Sequence, residues 1–164
     1  MIHFIIDKRT HKGDRVFNER SHHIQGPSLT VFNDKSFEKK DYEGLQNLGI
    51  GSKGNSVDTI GKFGIGFNTV YSITDTPMFI SNNSLVFLDP HREFVECATS
   101  DKPGGKFELK PDFVSSYSDI LSGFKGLGDI DLSSGTTFRL PLRDGSFNSK
   151  IESEKRNISD NSKM

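Results

Sequence analysis

The stretch GKFGIGFNTVY, residues 61–71, places three glycines around two phenylalanines and leads into a helical pattern. Glycine has no Cβ, so such a loop lets a ligand approach the main chain closely. Where the loop opens a helix, free N–H groups and the helix dipole favour a phosphate group. The spacing of Gly61, Gly64 and Gly66 matches neither the dinucleotide fingerprint nor the P-loop. On spacing alone, a tight turn that packs Phe63 and Phe67 into the core is the simpler interpretation.

No other motif in the sequence indicates catalysis or metal binding. The five histidines form no H-E-x-x-H and no cluster at metal-ligand spacing. A nucleophile elbow of the G-x-S-x-G type is also absent from the sequence. The single cysteine, Cys97, excludes an internal disulfide and a thiolate zinc cluster. These features predict a reducing, intracellular setting.

Charge and hydropathy argue against two classes of partner. The formal net charge of -1 offers no basic field for nucleic acid or anionic lipid. The apolar run in the N-terminal segment MIHFIIDKRT is too short for a signal peptide or a membrane span. We therefore expect a cytoplasmic protein that binds neither nucleic acid nor membrane.

Hydrophobic periodicity predicts an α+β domain in which helices alternate with a hairpin-linked sheet. The predicted strands are IHFII, SLTVFN, PMFIS, SLVFLD, GKFELK and TTFRLPL. Helices are predicted around Tyr42, from about Gly66 to Ser72, and over DFVSSYSDILSGF. The polar stretch between the first two strands, up to Gln25, is interpreted as an exposed loop.

Turn residues and composition set the remaining boundaries. GIGSKGNSVDT combines small and polar residues and predicts a mobile, lid-like loop. The pair Asn82 and Asn83 predicts a tight hairpin, because asparagine tolerates the left-handed conformation. Few large apolar residues follow Arg143. We therefore expect a folded domain over residues 1–143 and a polar, disordered tail over residues 144–164.

The order of the motifs changes the interpretation of the glycine stretch. GPSLTVFND, LGIGSKG, GKFGIGFNTVY, TDTPMFIS, DPH and GTTFRLPLR follow one another along the chain. This order resembles the ATP-binding domain shared by DNA gyrase, the ninety-kilodalton heat-shock chaperones, histidine kinases and MutL-type repair proteins. More narrowly, it is similar to the Sacsin/Nov domain family over residues 2–143. The resemblance implies a Bergerat-type ATP-binding fold, a two-layer sandwich of a mixed, mostly antiparallel sheet with helices on one face.

The resemblance also implies roles for individual residues. Asn33 or Asp34 would hydrogen-bond the adenine amino group, although turn chemistry accounts for both residues equally well. The glycine loop would hold the β- and γ-phosphates through its main-chain N–H groups. Its members are Gly61, Phe63, Gly64, Ile65, Gly66 and Phe67.

Lys53 and Lys62 would neutralise phosphate charge, or they are solvated lysines of a polar loop. Thr136 matches a family threonine near the adenine, but a β-branched residue in a strand needs no ligand.

Two features of the family pattern are absent. The glycines of its D-x-G-x-G motif are replaced by KSF after Asp34. In the family, a helix before the first strand carries a glutamate base and an asparagine ligand of Mg²⁺. Met1 stands directly before that strand here, so we expect this N-terminal helix to be missing. We accordingly expect no ATP hydrolysis by this chain alone, and Mg²⁺ only if an upstream helix supplies ligands. Apolar groups such as Phe4 or Ile6 should then be exposed on this face of the sheet, and we expect either a partner segment that covers them or marginal stability.

Two functions remain open from the sequence. The first is a sacsin-like nucleotide-binding domain of a chaperone or co-chaperone, with other chaperones or misfolded proteins as partners by resemblance. The second is a protein-interaction or structural module that keeps the fold and binds no nucleotide. The glycine loop favours the first function, and the two absent features favour the second.

Overall fold

The computed structural model of the chain describes residues 1–49, 65–95, 98, 104–128, 134–143, 145 and 148–151. Within these ranges six strands form one open sheet in the order β1-β2-β6-β3-β4-β5. The strands are β1 (Ile2–Asp7), β2 (Ser28–Asn33), β3 (Met78–Ser81), β4 (Ser84–Leu88), β5 (Gly104–Glu108) and β6 (Thr136–Pro141). The α+β class predicted from the sequence is confirmed. All described strand pairs are antiparallel, whereas the sequence interpretation included a mixed sheet.

The helices are short, and two of the predicted ones are divided. The α-helices are α1 (Lys39–Gly49), α2 (Ile65–Asn68), α3 (Pro111–Ser116) and α4 (Ser118–Ser122). Two 3-10 helices span Glu19–Ile24 and Thr69–Ser72, and the second continues α2. The helix predicted from Gly66 to Ser72 is therefore half 3-10, and the helix predicted over DFVSSYSDILSGF breaks at Tyr117 between α3 and α4.

The β3–β4 hairpin follows directly from its two turn residues. Asn82 and Asn83 have φ angles of 47° and 56°, the left-handed pair that a two-residue turn requires. Ser81 and Ser84 close the ladder on either side of this turn. The hairpin predicted from this asparagine pair is therefore confirmed.

One face of the sheet, called here the Phe87 face, carries the main core. Its inward side chains come from alternate positions of β3, β4 and β5, because successive side chains of a strand point to opposite faces. They are Met78, Ile80, Leu85, Phe87 and Phe107. Ile24, Ile120, Leu121 and Phe124 pack on them from the first 3-10 helix and from α4 and the turn after it. The ring of Phe17 stacks on Phe107 at 5.3 Å and meets Phe87 edge-on at 5.0 Å.

The opposite face, called here the Phe138 face, carries α1 and α2. Phe37, just before α1, packs on Phe79 with 4.7 Å between ring centroids, and Phe67 of α2 lies 6.1 Å from Phe138. The Nζ atom of Lys106 sits 3.8 Å from the centre of the Tyr42 ring. Helical segments therefore lie on both faces, and the expectation of helices on one face is wrong.

The segment between β1 and β2 explains this difference. It was interpreted as an exposed loop up to Gln25, yet Ser21, Ile24 and Gln25 are buried. Phe17 and Ile24 are large enough to help cover the Phe87 face, and Asn18 caps the 3-10 helix by accepting from the Ser21 N–H at 3.1 Å. These apolar residues are too widely spaced among polar ones to form a periodic signal.

A buried cation joins this segment to the sheet. Arg139 of β6 is 0% exposed and donates to the carbonyls of Ile24 at 2.6 Å and Gly26 at 2.8 Å. A Cβ at Gly123 would fall 2.4 Å from its Nε atom, so α4 ends in a glycine where the guanidinium passes. Burial lowers the pKa of Arg139 to about 10, which leaves the side chain charged at neutral pH.

Asp7, at the end of β1, is the buried carboxylate of the same region. Arg9 donates to both of its oxygens at 2.8 Å, in a bidentate pair. This hydrogen-bonded pair with Arg9 lowers the pKa of Asp7 to about 2, and the nearby imidazole of His11 adds to the shift.

A second buried carboxylate, Asp89, organises the turn after β4. It accepts main-chain N–H groups from Glu93 at 3.0 Å, Phe94 at 2.7 Å and Val95 at 3.0 Å. These donors would otherwise be buried without a partner, since all three residues are buried. The carboxylate therefore fixes the path of the chain that brings Phe94 and Val95 into the core.

Residues 148–151 belong to the packed domain, although the sequence placed them in the polar tail. Ser149 donates to Asp75 at 2.6 Å, Lys150 pairs with Glu93 at 2.9 Å, and Ile151 is buried. The rest of the predicted tail contributes only Gly145 to the described residues, at which φ is +80°.

Replacing the carboxylate in Asp89→Ala should lower the free energy of unfolding by about 3 kcal/mol, because three buried N–H groups lose their acceptor. Urea unfolding followed by circular dichroism measures the loss. Asp14→Ala, at an exposed aspartate, is the control and should change stability by no more than about 0.5 kcal/mol. Equal losses in the two variants would contradict the role assigned to Asp89.

Stability should fall in acid partly through Asp7. Its folded-state pKa of about 2 lies below the usual aspartate pKa of 3.8, so its contribution to stability is present above about pH 4 and is lost as pH falls toward 2. Asp7→Asn should therefore be less stable than the parent by about 2 kcal/mol at pH 6, and the difference should shrink toward pH 3. Urea unfolding across this pH range tests the trend, with Asp14→Asn as the control. A difference that does not vary with pH would rule out the Asp7 contribution.

Candidate functional site

The structure describes six of the eleven residues proposed from the sequence. Asn33 ends β2, Asp34 follows it, Thr136 begins β6, and Ile65 and Phe67 lie in α2. Gly66 is also in α2. The other proposed residues lie outside the described residues, and they are Lys53, Gly61, Lys62, Phe63 and Gly64.

Asn33 and Thr136 are direct neighbours across the β2–β6 ladder. Thr136 lies two residues before Phe138 on the same strand, so both side chains point to the Phe138 face. Phe67 of α2 packs on Phe138 on that same face. Residues 33, 67 and 136, which are far apart in sequence, therefore lie on one side of the sheet.

Gly135 allows the two strand ends to come this close. Its φ is +97°, and a Cβ there would lie 2.2 Å from the carbonyl oxygen of Asn33. A side chain at this position would push β6 away from β2, so only glycine fits. The close approach of β2 and β6 thus explains why the GTTFRLPLR motif begins with Gly135, whether or not a ligand binds there.

The hydroxyl of Thr136 is already hydrogen-bonded within the protein. It lies 2.8 Å from the Ser81 hydroxyl and donates to the Lys35 carbonyl at 2.8 Å. Ser81 also accepts the main-chain N–H of Phe37 at 2.9 Å. This buried pair of hydroxyls joins β3, β6 and the β2–α1 connection, and the sequence did not indicate the role of Ser81.

The acidic end of β2 is accessible. Asp34 is exposed and accepts a hydrogen bond from the amino group of Met1, which lowers the pKa of its carboxyl group. Asn33 turns its side-chain oxygen to the Lys35 N–H at 3.0 Å. Asn33 therefore shows the turn chemistry considered from the sequence, whereas the exposed carboxylate of Asp34 pairs with the amino group of Met1.

A second arginine, Arg143, holds the end of the helical segment that begins at α2. It forms a bidentate pair with Asp75 at 3.0 and 3.1 Å. It also donates to the carbonyls of Tyr71 and Ser72, both at 2.9 Å, and Thr74 at 3.2 Å. These carbonyls end the helical segment, where a cation is favourable. The sequence contained both residues, in TDTPMFIS and GTTFRLPLR, but gave no reason to connect them.

No group of three or more His, Cys, Asp or Glu side chains in the described ranges could hold a metal ion. Concave surfaces occur near Thr74 and Pro141 and near Arg20 and Glu93, away from Asn33. No helix among the described residues is long and apolar enough to cross a membrane.

Comparison with known proteins agrees with the order of motifs. The family model described as Sacsin domain matches residues 1–164. A human protein named Sacsin is 43% identical over 142 residues, which is 85% of this chain and 3% of the relative. The chain thus spans a small part of that relative's length. With a family match over the whole chain and this level of identity, the chain belongs to the Sacsin domain family.

Proposed function

We propose that this Sacsin domain is a nucleotide-binding module of the Bergerat-type ATPase superfamily that includes the ninety-kilodalton heat-shock chaperones. ATP or ADP would lie on the Phe138 face, with its adenine near Asn33, Asp34 and Thr136. The observation that carries the proposal is that Asn33 and Thr136 are paired on the face of the sheet on which Phe67 of α2 packs against Phe138. The chain immediately before α2 contains the glycine stretch whose composition suits phosphate binding.

The chemistry of the described residues fits an adenine ring. The rings of Phe67 and Phe138 supply apolar surface, which suits the faces of a flat base. The carboxylate of Asp34 supplies an exposed acceptor that suits an amino group. Apolar walls with a few placed polar groups are what small-molecule sites use.

The phosphate end of the nucleotide would depend on Gly66 of α2 and on further residues outside the described ranges. Gly61, Gly64 and Gly66 would offer main-chain N–H groups, with Lys53 and Lys62 as the nearby cations. Arg143 would act as a positioning residue, because it fixes the far end of the helical segment that starts at Ile65. Mg²⁺ would bridge the phosphates only with ligands from another segment, so we propose binding without turnover by this chain.

A second function is supported by one observation. The Thr136 hydroxyl donates to the Lys35 carbonyl and is hydrogen-bonded to Ser81, so the protein itself supplies partners for it at the strand ends. The domain would then be a protein-interaction or structural module that keeps the fold. Partners under either function would be other chaperones or misfolded proteins in the cytoplasm, which is a proposal from the family resemblance alone.

The proposal predicts that ATP or ADP raises the thermal midpoint of the chain. At a ligand concentration of about one hundred times Kd, binding stabilises the folded state by about 2.7 kcal/mol. Differential scanning fluorimetry with each nucleotide, with and without Mg²⁺, measures the shift. In Gly64→Val and Gly66→Val the shift should disappear, because a side chain would enter the phosphate path.

Gly26→Val is the matched control for these glycine variants, since no atom lies within 4 Å of a Cβ built at Gly26. It should keep the nucleotide shift. A shift that survives both loop variants would overturn the loop assignment. No shift in the parent chain with either nucleotide would favour the interaction module.

Substitutions at the adjacent residues Thr136 and Thr137 test whether the domain binds nucleotide or acts as an interaction module. Thr136→Val removes a hydroxyl that bonds Ser81 and Lys35, so it should cost about 1–2 kcal/mol of stability. Thr137→Val removes a buried hydroxyl that has no hydrogen-bond partner among the described residues and faces the other way, so it should be neutral or stabilising. If nucleotide binds, only Thr136→Val should reduce the nucleotide shift measured from each variant's own midpoint. An unchanged shift in Thr136→Val would place the adenine elsewhere.

A further inference from the structure

The outer side of β1 presents an apolar stripe to solvent. Ile2, Phe4 and Ile6 are 59%, 72% and 61% exposed, and all three point to the Phe138 face. Val31 and Leu29 of β2 lie beside them and are half-buried. Contiguous apolar groups at this level of exposure indicate a surface that another element covers.

The outer edge of β1 also pairs with no other strand among the residues that the structure describes. The N–H of Asp34 donates to the carbonyl of Met1, so residues 1, 3, 5 and 7 are the ones that bond β2 in this antiparallel ladder. Ile2, Phe4 and Ile6 therefore direct their N–H and C=O groups outward, along the free edge. The residues with exposed side chains are the same residues that offer free main-chain groups.

The two edges of the sheet differ in a way that points to pairing at β1. The other edge strand, β5, carries Lys106 and Glu108, and exposed charges of this kind prevent edge-to-edge association. β1 carries no charge from Ile2 to Ile6 apart from any on His3. Its only acidic side chain, Asp7, is buried and paired with Arg9.

We propose that the β1 edge binds the β1 edge of a second copy of this chain, in antiparallel pairing centred on Phe4. In such a pair, the outward N–H and C=O groups of one β1 strand must face those of the other β1 strand. Even-numbered residues must therefore lie opposite even-numbered residues. With Phe4 opposite Phe4 of the second copy, Ile2 lies opposite Ile6 and the whole stripe is used. The three pairs exchange about six main-chain hydrogen bonds.

The stripe is complementary to itself, and this favours a second copy over a different partner. Its sequence of apolar groups, Ile2, Phe4 and Ile6, reads nearly the same in both directions, as an isologous two-fold contact requires. The chain carries a formal net charge of only -1, so two copies repel each other weakly. A charged peptide partner would find no complementary charge on this strand.

The first experiment is sedimentation velocity on the 164-residue chain across a concentration series. A dimer is expected to form as concentration rises. Phe4→Lys should weaken it by about tenfold or more, because two like charges would lie directly opposite each other at the centre. Ile73→Lys, at an apolar residue exposed elsewhere, is the matched control and should leave the dimer unchanged. Circular dichroism verifies that each variant remains folded.

Cysteine cross-linking tests the register in a Cys97→Ser background. Phe4→Cys should form a covalent dimer on oxidation, since opposed residues place their Cα atoms about 5.5 Å apart. Ile2→Cys alone should not, because its equivalents would lie about 14 Å apart along the strand. A mixture of Ile2→Cys and Ile6→Cys chains should cross-link.

Each of several results would overturn the proposal. These are a chain that stays monomeric at every concentration, a dimer that tolerates Phe4→Lys, or cross-linking of Ile2→Cys as readily as Phe4→Cys. A monomer that binds a different polypeptide through β1 would show that the stripe serves another partner. Since no nucleotide enters these measurements, their failure leaves the proposed function unaffected.

Discussion

The guanidinium of Arg139 lies without solvent exposure beneath the middle of the sheet, held by the carbonyls of Ile24 and Gly26. A buried cation of this kind is tolerated only where the surrounding groups replace its water. The segment between β1 and β2 supplies these carbonyls, and it must therefore cross the Phe87 face before β2 begins. Gly123 leaves the space in which the side chain passes under α4. The burial of the Arg139 charge and the path of the chain between β1 and β2 therefore depend on each other.

Alternation along β6 separates two roles on one strand. Arg139 and Thr137 point to the Phe87 face, and Thr136 and Phe138 point to the Phe138 face. The first pair faces the core and the second faces the candidate site. A change in the packing around Arg139 therefore moves the strand that carries Thr136. Ser81 and Gly135 fix the start of this strand against β3 and β2, so the site residues have little freedom to shift.

Much of the sheet could be predicted from sequence, because its strands are dense in β-branched and aromatic residues and its hairpin has Asn82 and Asn83. The segment that covers the Phe87 face could not be predicted, because its apolar residues Phe17 and Ile24 are isolated among polar ones. The burial of Arg139 could not be predicted either, because arginine is usually a surface residue. For the candidate site, motif order pointed to Asn33, Asp34 and Thr136, which lie at neighbouring strand ends of β2 and β6. The hydrogen bond between Ser81 and Thr136 and the ion pair between Arg143 and Asp75 could be found only in the structure, because each joins residues more than fifty positions apart.

The strand order has a consequence for how the domain reaches its folded state. β6 follows every other described strand in the chain, yet it lies between β2 and β3. Until it has been synthesised, the β1–β2 hairpin and the β3–β4–β5 meander have no strand to join them, and each has an open inner edge. Folding on the ribosome therefore cannot finish before residues 136–141 emerge, and the closing contacts span long stretches of chain, which slows them. A nascent chain halted before this point would display two unfinished sheets and would need protection from aggregation.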